Sequence, residues 1–155
     1  GWDKTFQLNA TTTMLSNRAI INVMMHQHHA GGIVNISSVL ASHPSAHFFS
    51  THSYAASKAA IIGLSKSAAA YYADKNIRIN VISPGLVDTP MASRAKTNEA
   101  IMDFIKTKQP LDGGRISLPK DIVGMAAFLL SDHSTFITGQ EILIDGGWSI
   151  TDGQY

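Results

Sequence analysis

The sequence predicts an α/β protein built on a parallel sheet, and three observations carry that expectation. Three apolar, largely β-branched runs, at residues 33–39, 77–83 and 139–147, are bounded by glycine or proline. Longer stretches of helical period lie before and between them, at 2–25, 54–74, 98–108 and from Pro119 through Leu130. The resulting order, helix, strand, helix, strand, helices, strand, is that of a parallel sheet with right-handed crossovers. In such sheets ligands bind at the carboxyl ends of the strands. Ser38 follows the first run and Pro84-Gly85 the second, so both belong to that edge.

Each element has its own signals. From Trp2 on, apolar positions recur through Met14, Ile20, Ile21, Val23 and Met25, with no leading strand. That helix ends at His26-Gln27-His28-His29, and Gly31-Gly32 stops it. Residues 40–52 read as loop around Pro44. The next helix is rich in small residues (Ala55, Ala56, Ala59, Ala60, Gly63), which permit close approach of another helix or a cofactor. Pro84-Gly85 turns the chain out of the second strand into an excursion over 86–118, broken by Gly113-Gly114. Pro119 opens the next helix at its first position, and Gly146-Gly147 stops the last strand.

Composition removes several function classes. A chain of 155 residues with 45% hydrophobic and 15% charged residues can bury the core of one domain. A net charge of +1 gives no electrostatic reason to expect nucleic acid or an anionic membrane. With no cysteines, disulfides and thiolate metal sites are excluded, which fits a reducing compartment and a cytoplasmic expectation. No apolar run reaches the roughly 20 residues that span a bilayer, and residues 1–10 carry no signal-peptide pattern. His26 and His29 share a helix end, but no further ligand lies nearby in sequence. A solvated terminus favoured by the helix dipole is the better reading, and no metal site is expected.

Tyr54 and Lys58 occupy positions i and i+4 of a helix and so share one face. A free phenol, with a pKa of about 10, is a poor proton carrier near neutral pH. A cation held close favours the phenolate and makes tyrosine a usable general acid/base. Alone, the spacing is met as well by an ordinary amphipathic helix with a packed tyrosine and a solvated lysine.

Five ordered segments change that balance: residues 2–9, ending in Asn9; Gly32-Ile33-Val34-Asn35-Ile36-Ser37-Ser38; Tyr54-Ala55-Ala56-Ser57-Lys58; Asn80-Val81-Ile82-Ser83-Pro84-Gly85 with Val87-Asp88-Thr89; and Thr138-Gly139-Gln140 with Asp145-Gly146-Gly147. Together they resemble the short-chain dehydrogenase/reductase family over nearly the whole chain. The resemblance implies an oxidoreductase that uses NAD or NADP to interconvert a carbonyl and an alcohol. Tyr54 would exchange the proton with the substrate oxygen. Lys58 would lower the Tyr54 pKa and hold the nicotinamide ribose. Ser38, rather than Ser37, would stabilise charge on the substrate oxygen, and Asn9 would hold a water linking Lys58 to solvent. Pro84, Gly85, Val87 and the Thr89 hydroxyl would orient the nicotinamide carboxamide. By the same resemblance the helices over 9–25 and 54–74 would pair across a two-fold axis, giving a homodimer or homotetramer.

Two departures from the family pattern generate further expectations. The loop between Ser38 and Tyr54 is a few residues longer than usual and holds His43, His47, Phe48, Phe49 and His52, which either border the substrate or are solvated. The variable segment 91–118 offers Met91, Ile101, Phe104 and Ile105 as apolar pocket candidates. The family's opening strand and glycine-rich turn, which cradle the pyrophosphate, have no counterpart here. Residues 1–155 are therefore expected to be the C-terminal portion of a single, partial doubly wound (Rossmann-like) domain, with about 80 to 100 residues absent. The strand at 33–37 would be an uncovered edge. The alternative to an active enzyme is a catalytically silent truncated piece with a structural role. Which substrate is used, and whether NAD or NADP, is not encoded in these residues.

Overall fold

The computed structural model describes residues 1–27 and 30–153. The chain runs through α1 (Trp2–Phe6), a π-turn (Gln7–Thr11), α2 (Thr12–Gln27), β1 (Gly31–Ile36), α3 (His52–Tyr72) and β2 (Ile77–Pro84). It continues through α4 (Ser93–Lys96), α5 (Glu99–Lys108), α6 (Leu111–Gly114), α7 (Pro119–Leu130) and β3 (Glu141–Ile144). The three strands form one parallel sheet in the order β1-β2-β3, with Ile33 opposite Ile79 and Ile82 opposite Ile142. The expected α/β alternation is therefore the architecture of the chain.

Alternation along β2 sends its side chains to two helical layers. Ile77 and Ile79 join Ile33, Ile21 of α2 and Ala69 of α3 in a closed apolar cluster. The Asn35 amide of β1 donates to Ser65 of α3 at 2.8 Å on this side. On the opposite face Arg78 donates to the Leu129 and Ser131 carbonyls and to the Ser134 hydroxyl, tying β2 to the end of α7. β2 is thus central and almost wholly buried. β1, by contrast, is paired on one side only within the described residues, as expected of an edge, and Ile36 at its end is 46% exposed.

A second cluster lies beyond the carboxyl ends of the strands. Val39, Ala95, Ile101, Ile105 and Trp148 are buried, with Leu40, Phe48, Phe49, Leu86 and Phe104 packed against them. This corrects the expectation for the 91–118 segment. Ile101 and Ile105 are closed core at 2% and 0% exposure, and Met91 is 84% exposed. Amphipathic α5 simply turns its apolar stripe inward. Gly114 shows why a glycine pair ends this segment. Its φ is +73°, and a Cβ there would sit 2.6 Å from the Lys106 backbone.

Candidate active site

α3 begins at His52, which places Tyr54 in its first turn and Lys58 one turn later on the same face. The Lys58 ammonium lies 5.7 Å from the centre of the Tyr54 ring and donates to the Ile36 carbonyl, at the end of β1, at 3.0 Å. Lysine thereby ties the helix to the strand that delivers Ser38. Ser38 caps the short 3-10 turn Val39–Ala41, its hydroxyl accepting from the Leu40 N–H at 3.2 Å. The neighbouring serine does different work. Ser37 donates to the Lys58 carbonyl at 2.8 Å and braces α3.

The electrostatics depart from expectation. Burial raises the Tyr54 pKa above its ordinary 10.0, and hydrogen bonding from Ser38 pulls in the opposite direction. Burial also lowers Lys58 below its ordinary 10.5. Desolvation penalises the phenolate and the ammonium alike, so in this arrangement burial, not Lys58, sets the direction of the Tyr54 shift. The group able to favour the phenolate here is the Ser38 hydroxyl.

Asn9 sits within the π-turn that joins α1 to α2, a local widening that opens the helix backbone. Its amide donates to the Ser57 hydroxyl at 3.1 Å, and Ser57 donates to the Tyr54 carbonyl at 2.8 Å. Asn9 thus connects to α3 through Ser57, the residue before Lys58. Ser57 is fully buried and was not singled out from sequence. A serine on the inward face of an otherwise alanine-rich helix was the available signal.

The second set of expected residues leaves β2. Pro84 ends the strand and the Gly85 N–H donates to the Ile144 carbonyl at 3.1 Å. Val87 bridges to Ser117, and the Thr89 hydroxyl faces the Val87 carbonyl at 3.4 Å. Thr89 lines an open cleft of about 490 Å³ with Asp88, Pro90, Ser93, Lys96 and Thr97, across which Lys96 and Asp88 pair at 2.6 Å. Both sets occupy the same sheet edge, since Ser37 donates to the Ile82 carbonyl at 2.8 Å. Within the long loop, Phe48 and Phe49 pack against Phe104, and Phe49 meets Trp148 edge-on at 5.6 Å. The Trp148 indole donates to the His43 carbonyl at 3.0 Å. The loop is therefore fastened down, with its aromatics in the second cluster. The His26 Nδ1–H donates to the Asn22 carbonyl at 2.7 Å, and His29 lies outside the described residues. No grouping of three or more metal-type ligands occurs among the described residues.

Comparison with known proteins bears on this geometry. A family model described as enoyl-(acyl carrier protein) reductase matches residues 1–149. A zebrafish (Danio rerio) dehydrogenase/reductase SDR family member 6 is 36% identical over 154 residues, covering 96% of this chain and 60% of its own length. A 2,5-dichloro-2,5-cyclohexadiene-1,4-diol dehydrogenase of Sphingobium indicum is 36% identical, with 97% and 57% covered. Among solved structures, a 4-hydroxyisoleucine dehydrogenase complexed with NADH superposes with a TM-score of 0.85 at 36% identity, over 93% of this chain and 57% of that one. A short-chain dehydrogenase from Leptospira borgpetersenii with bound NAD⁺ gives 0.87 at 31% identity, over 96% and 56%. The chain thus spans about 60% of the length of the curated relatives it matches. With the matched family model, these relatives and the shared fold, the chain belongs to the short-chain dehydrogenase/reductase family.

Proposed function

We propose that the protein carrying this chain is an NAD(P)-dependent oxidoreductase acting on a small carbonyl/alcohol pair, with Tyr54 as the proton donor and acceptor. The observation that carries this reading is the convergence of Tyr54, Ser38 and Lys58 where β1 ends. The donor set fits a nicotinamide nucleoside. The Lys58 ammonium has three protons and is held at the site by its bond to the Ile36 carbonyl. The backbone from Pro84 to Thr89 lies on the same sheet edge. A bound nicotinamide dinucleotide would supply or take the hydride. Lys58 would hold its ribose, and Pro84, Gly85, Val87 and Thr89 would orient its carboxamide.

The remaining chemistry belongs to the chain itself. In the reductive direction Tyr54 starts protonated, as its raised pKa favours. It gives its hydroxyl proton to the substrate oxygen as negative charge develops there. Before substrate binds, Ser38 donates its one hydroxyl proton to Tyr54 and eases the phenol toward phenolate; with substrate bound it would turn that same proton to the substrate oxygen. Asn9 and Ser57 hold the first turn of α3 in place. In the oxidative direction the same groups run in reverse.

The same proposal places residues 1–155 in the C-terminal part of a Rossmann-like domain and the protein in the cytoplasm. It makes the protein a homodimer or homotetramer, for which the exposed Met14, Leu15, Ile20 and Val23 of α2 give a contact surface. No nucleic-acid or membrane partner is included, given the net charge of +1 and no described helix long and apolar enough to cross a bilayer. The test is Tyr54→Phe in the complete protein. Turnover should fall by at least about 10³-fold, at the upper end for loss of a general acid/base. Affinity for NADH or NADPH, titrated by protein fluorescence, should stay nearly unchanged. Retained turnover would refute the role of Tyr54.

A further inference from the structure

The most deeply buried amide beyond β2 takes no part in the proton-transfer chemistry, yet it grips the segment beside it. Gln109 follows α5 and is 1% exposed. Its Oε1 accepts from the Leu86 N–H at 2.5 Å, and its Nε2 donates toward the Leu86 carbonyl at 3.4 Å. One side chain thus engages both backbone polar groups of a single residue, as a neighbouring strand would. The Leu86 carbonyl also accepts from the Ser117 N–H at 3.1 Å and the Ser117 hydroxyl at 2.9 Å.

The glycines on either side explain how the amide reaches in. A Cβ on Gly85 would stand 2.5 Å from Gln109 Oε1, and one on Gly146 would stand 3.2 Å from Gln109 Cβ. Gln109 is therefore wedged between the turn after β2 and the turn after β3. The second turn is itself fixed, because Asp145 accepts from the Gly147 and Ser149 N–H groups at 3.0 and 2.9 Å. The chain beyond Gln109 is tied in as well, with the Leu111 N–H donating to the Gly146 carbonyl at 3.1 Å. Gln and Asn are the side chains that carry a carbonyl acceptor and an N–H donor on one neutral amide, as a backbone peptide does, and the longer one spans this gap.

We propose that Gln109 is a positioning residue for the nicotinamide: by clamping Leu86 it sets the backbone course of residues 85–89. The inference rests on the reading that those residues face the nicotinamide. Gln109 itself touches neither cofactor nor substrate. It acts by keeping the Gly85–Leu86 backbone in one conformation before the cofactor arrives, so that binding need not order the segment.

The test uses the complete protein and compares Gln109→Met, which keeps length and removes both bonds, with Ser117→Ala, which removes one donor to the same carbonyl. Ile21→Val serves as a control that loosens the other buried cluster, in which no residue of 85–89 takes part. Two quantities are read: amide hydrogen exchange over 85–89 in the unliganded protein, and the Kd for NADH and NADPH. Gln109→Met should lose exchange protection at Leu86 and raise the Kd on the order of tenfold, the effect of about one net hydrogen bond. Ser117→Ala should do the same more weakly, and the control should do neither. The KM for the cofactor should rise more than kcat falls. If Gln109→Met binds cofactor like the control, the positioning role is wrong while the proposed function stands. If Gln109→Met does not fold, unchanged exchange and Kd in Ser117→Ala overturn the clamp. If the unaltered protein binds neither dinucleotide, the functional reading fails and takes this inference with it.

Discussion

The two sides of the candidate site are held in place by different means. On the β1 side, Tyr54, Ser57 and Lys58 come from one turn of one helix, and Lys58 and Ser37 bind that helix to the end of the adjoining strand. On the β2 side, residues 85–89 contribute mostly backbone. They are fixed by Gln109, Ser117 and the Ile144 carbonyl, which lie far along the chain. The first side is organised by helical periodicity and the second by tertiary contacts. The first should therefore survive changes in the surrounding core that disable the second.

The strongest challenge to that contrast is Ile105→Ala. Ile105 is fully buried in the second cluster, beneath the segment that carries Gln109. Removing it should lower stability by about 2–5 kcal/mol, transfer and cavity contributions together, measured by urea unfolding. Below the transition, amide exchange should rise over 85–89 and 145–149 while α3 stays protected. Equal loosening of both sides would break the distinction.

Gly85→Ala comes next. The added Cβ would meet Gln109 Oε1 at 2.5 Å and the Asp145 Cα at 3.1 Å. The amide can swing aside, but the Asp145 backbone has less freedom. The expected loss is about 1–3 kcal/mol, as for overpacking elsewhere, with a weakened cofactor Kd. A variant as stable as the parent and equally tight would show that Gln109 has no fixed place.

The same division explains what could be read from the sequence. The sheet was legible because its three strands are apolar runs with glycine or proline bounds, and Tyr54 and Lys58 because their spacing matches the helical repeat. Ser38 is preferred to Ser37 by its place in the motif; in the structure Ser38 hydrogen-bonds Tyr54, while Ser37 braces α3. The contacts of Gln109 and Asp145 were not legible, since a lone Gln before Pro110 carries no periodic signal and the Asp145-Gly146-Gly147 motif does not say what its carboxylate holds. The importance of both residues lies in contacts such as Gln109 with Leu86, 23 residues apart. Ile101, Phe104 and Ile105 were read as pocket because an apolar stripe on a variable helix fits a ligand and a core equally well. Only the position of Trp148, buried against them, decides for core. The Tyr54 pKa was misjudged for a related reason. Spacing reveals a nearby cation, whereas burial depends on the whole fold.

The smallest effect tests the periodic side through Lys58 itself. Burial lowers its pKa below the ordinary 10.5, so the folded chain holds this proton less tightly than the unfolded chain. A charged Lys58 therefore destabilises the fold at neutral pH. As pH rises from the lowered folded pKa toward 10.5, the folded chain sheds its proton first and the penalty shrinks. The stability gap between Lys58→Met and the parent should thus shift in the parent's favour as pH rises from the lowered folded pKa toward 10.5, on top of a pH-independent loss of the bond to the Ile36 carbonyl. Tyr54 titrates upward of the same region, but it is present in both proteins and cancels to first order. Chemical unfolding at a series of pH values measures the gap. A difference that is flat or shifts in the variant's favour with pH would mean that the ammonium is well solvated, and that α3 holds its lysine at no electrostatic disadvantage.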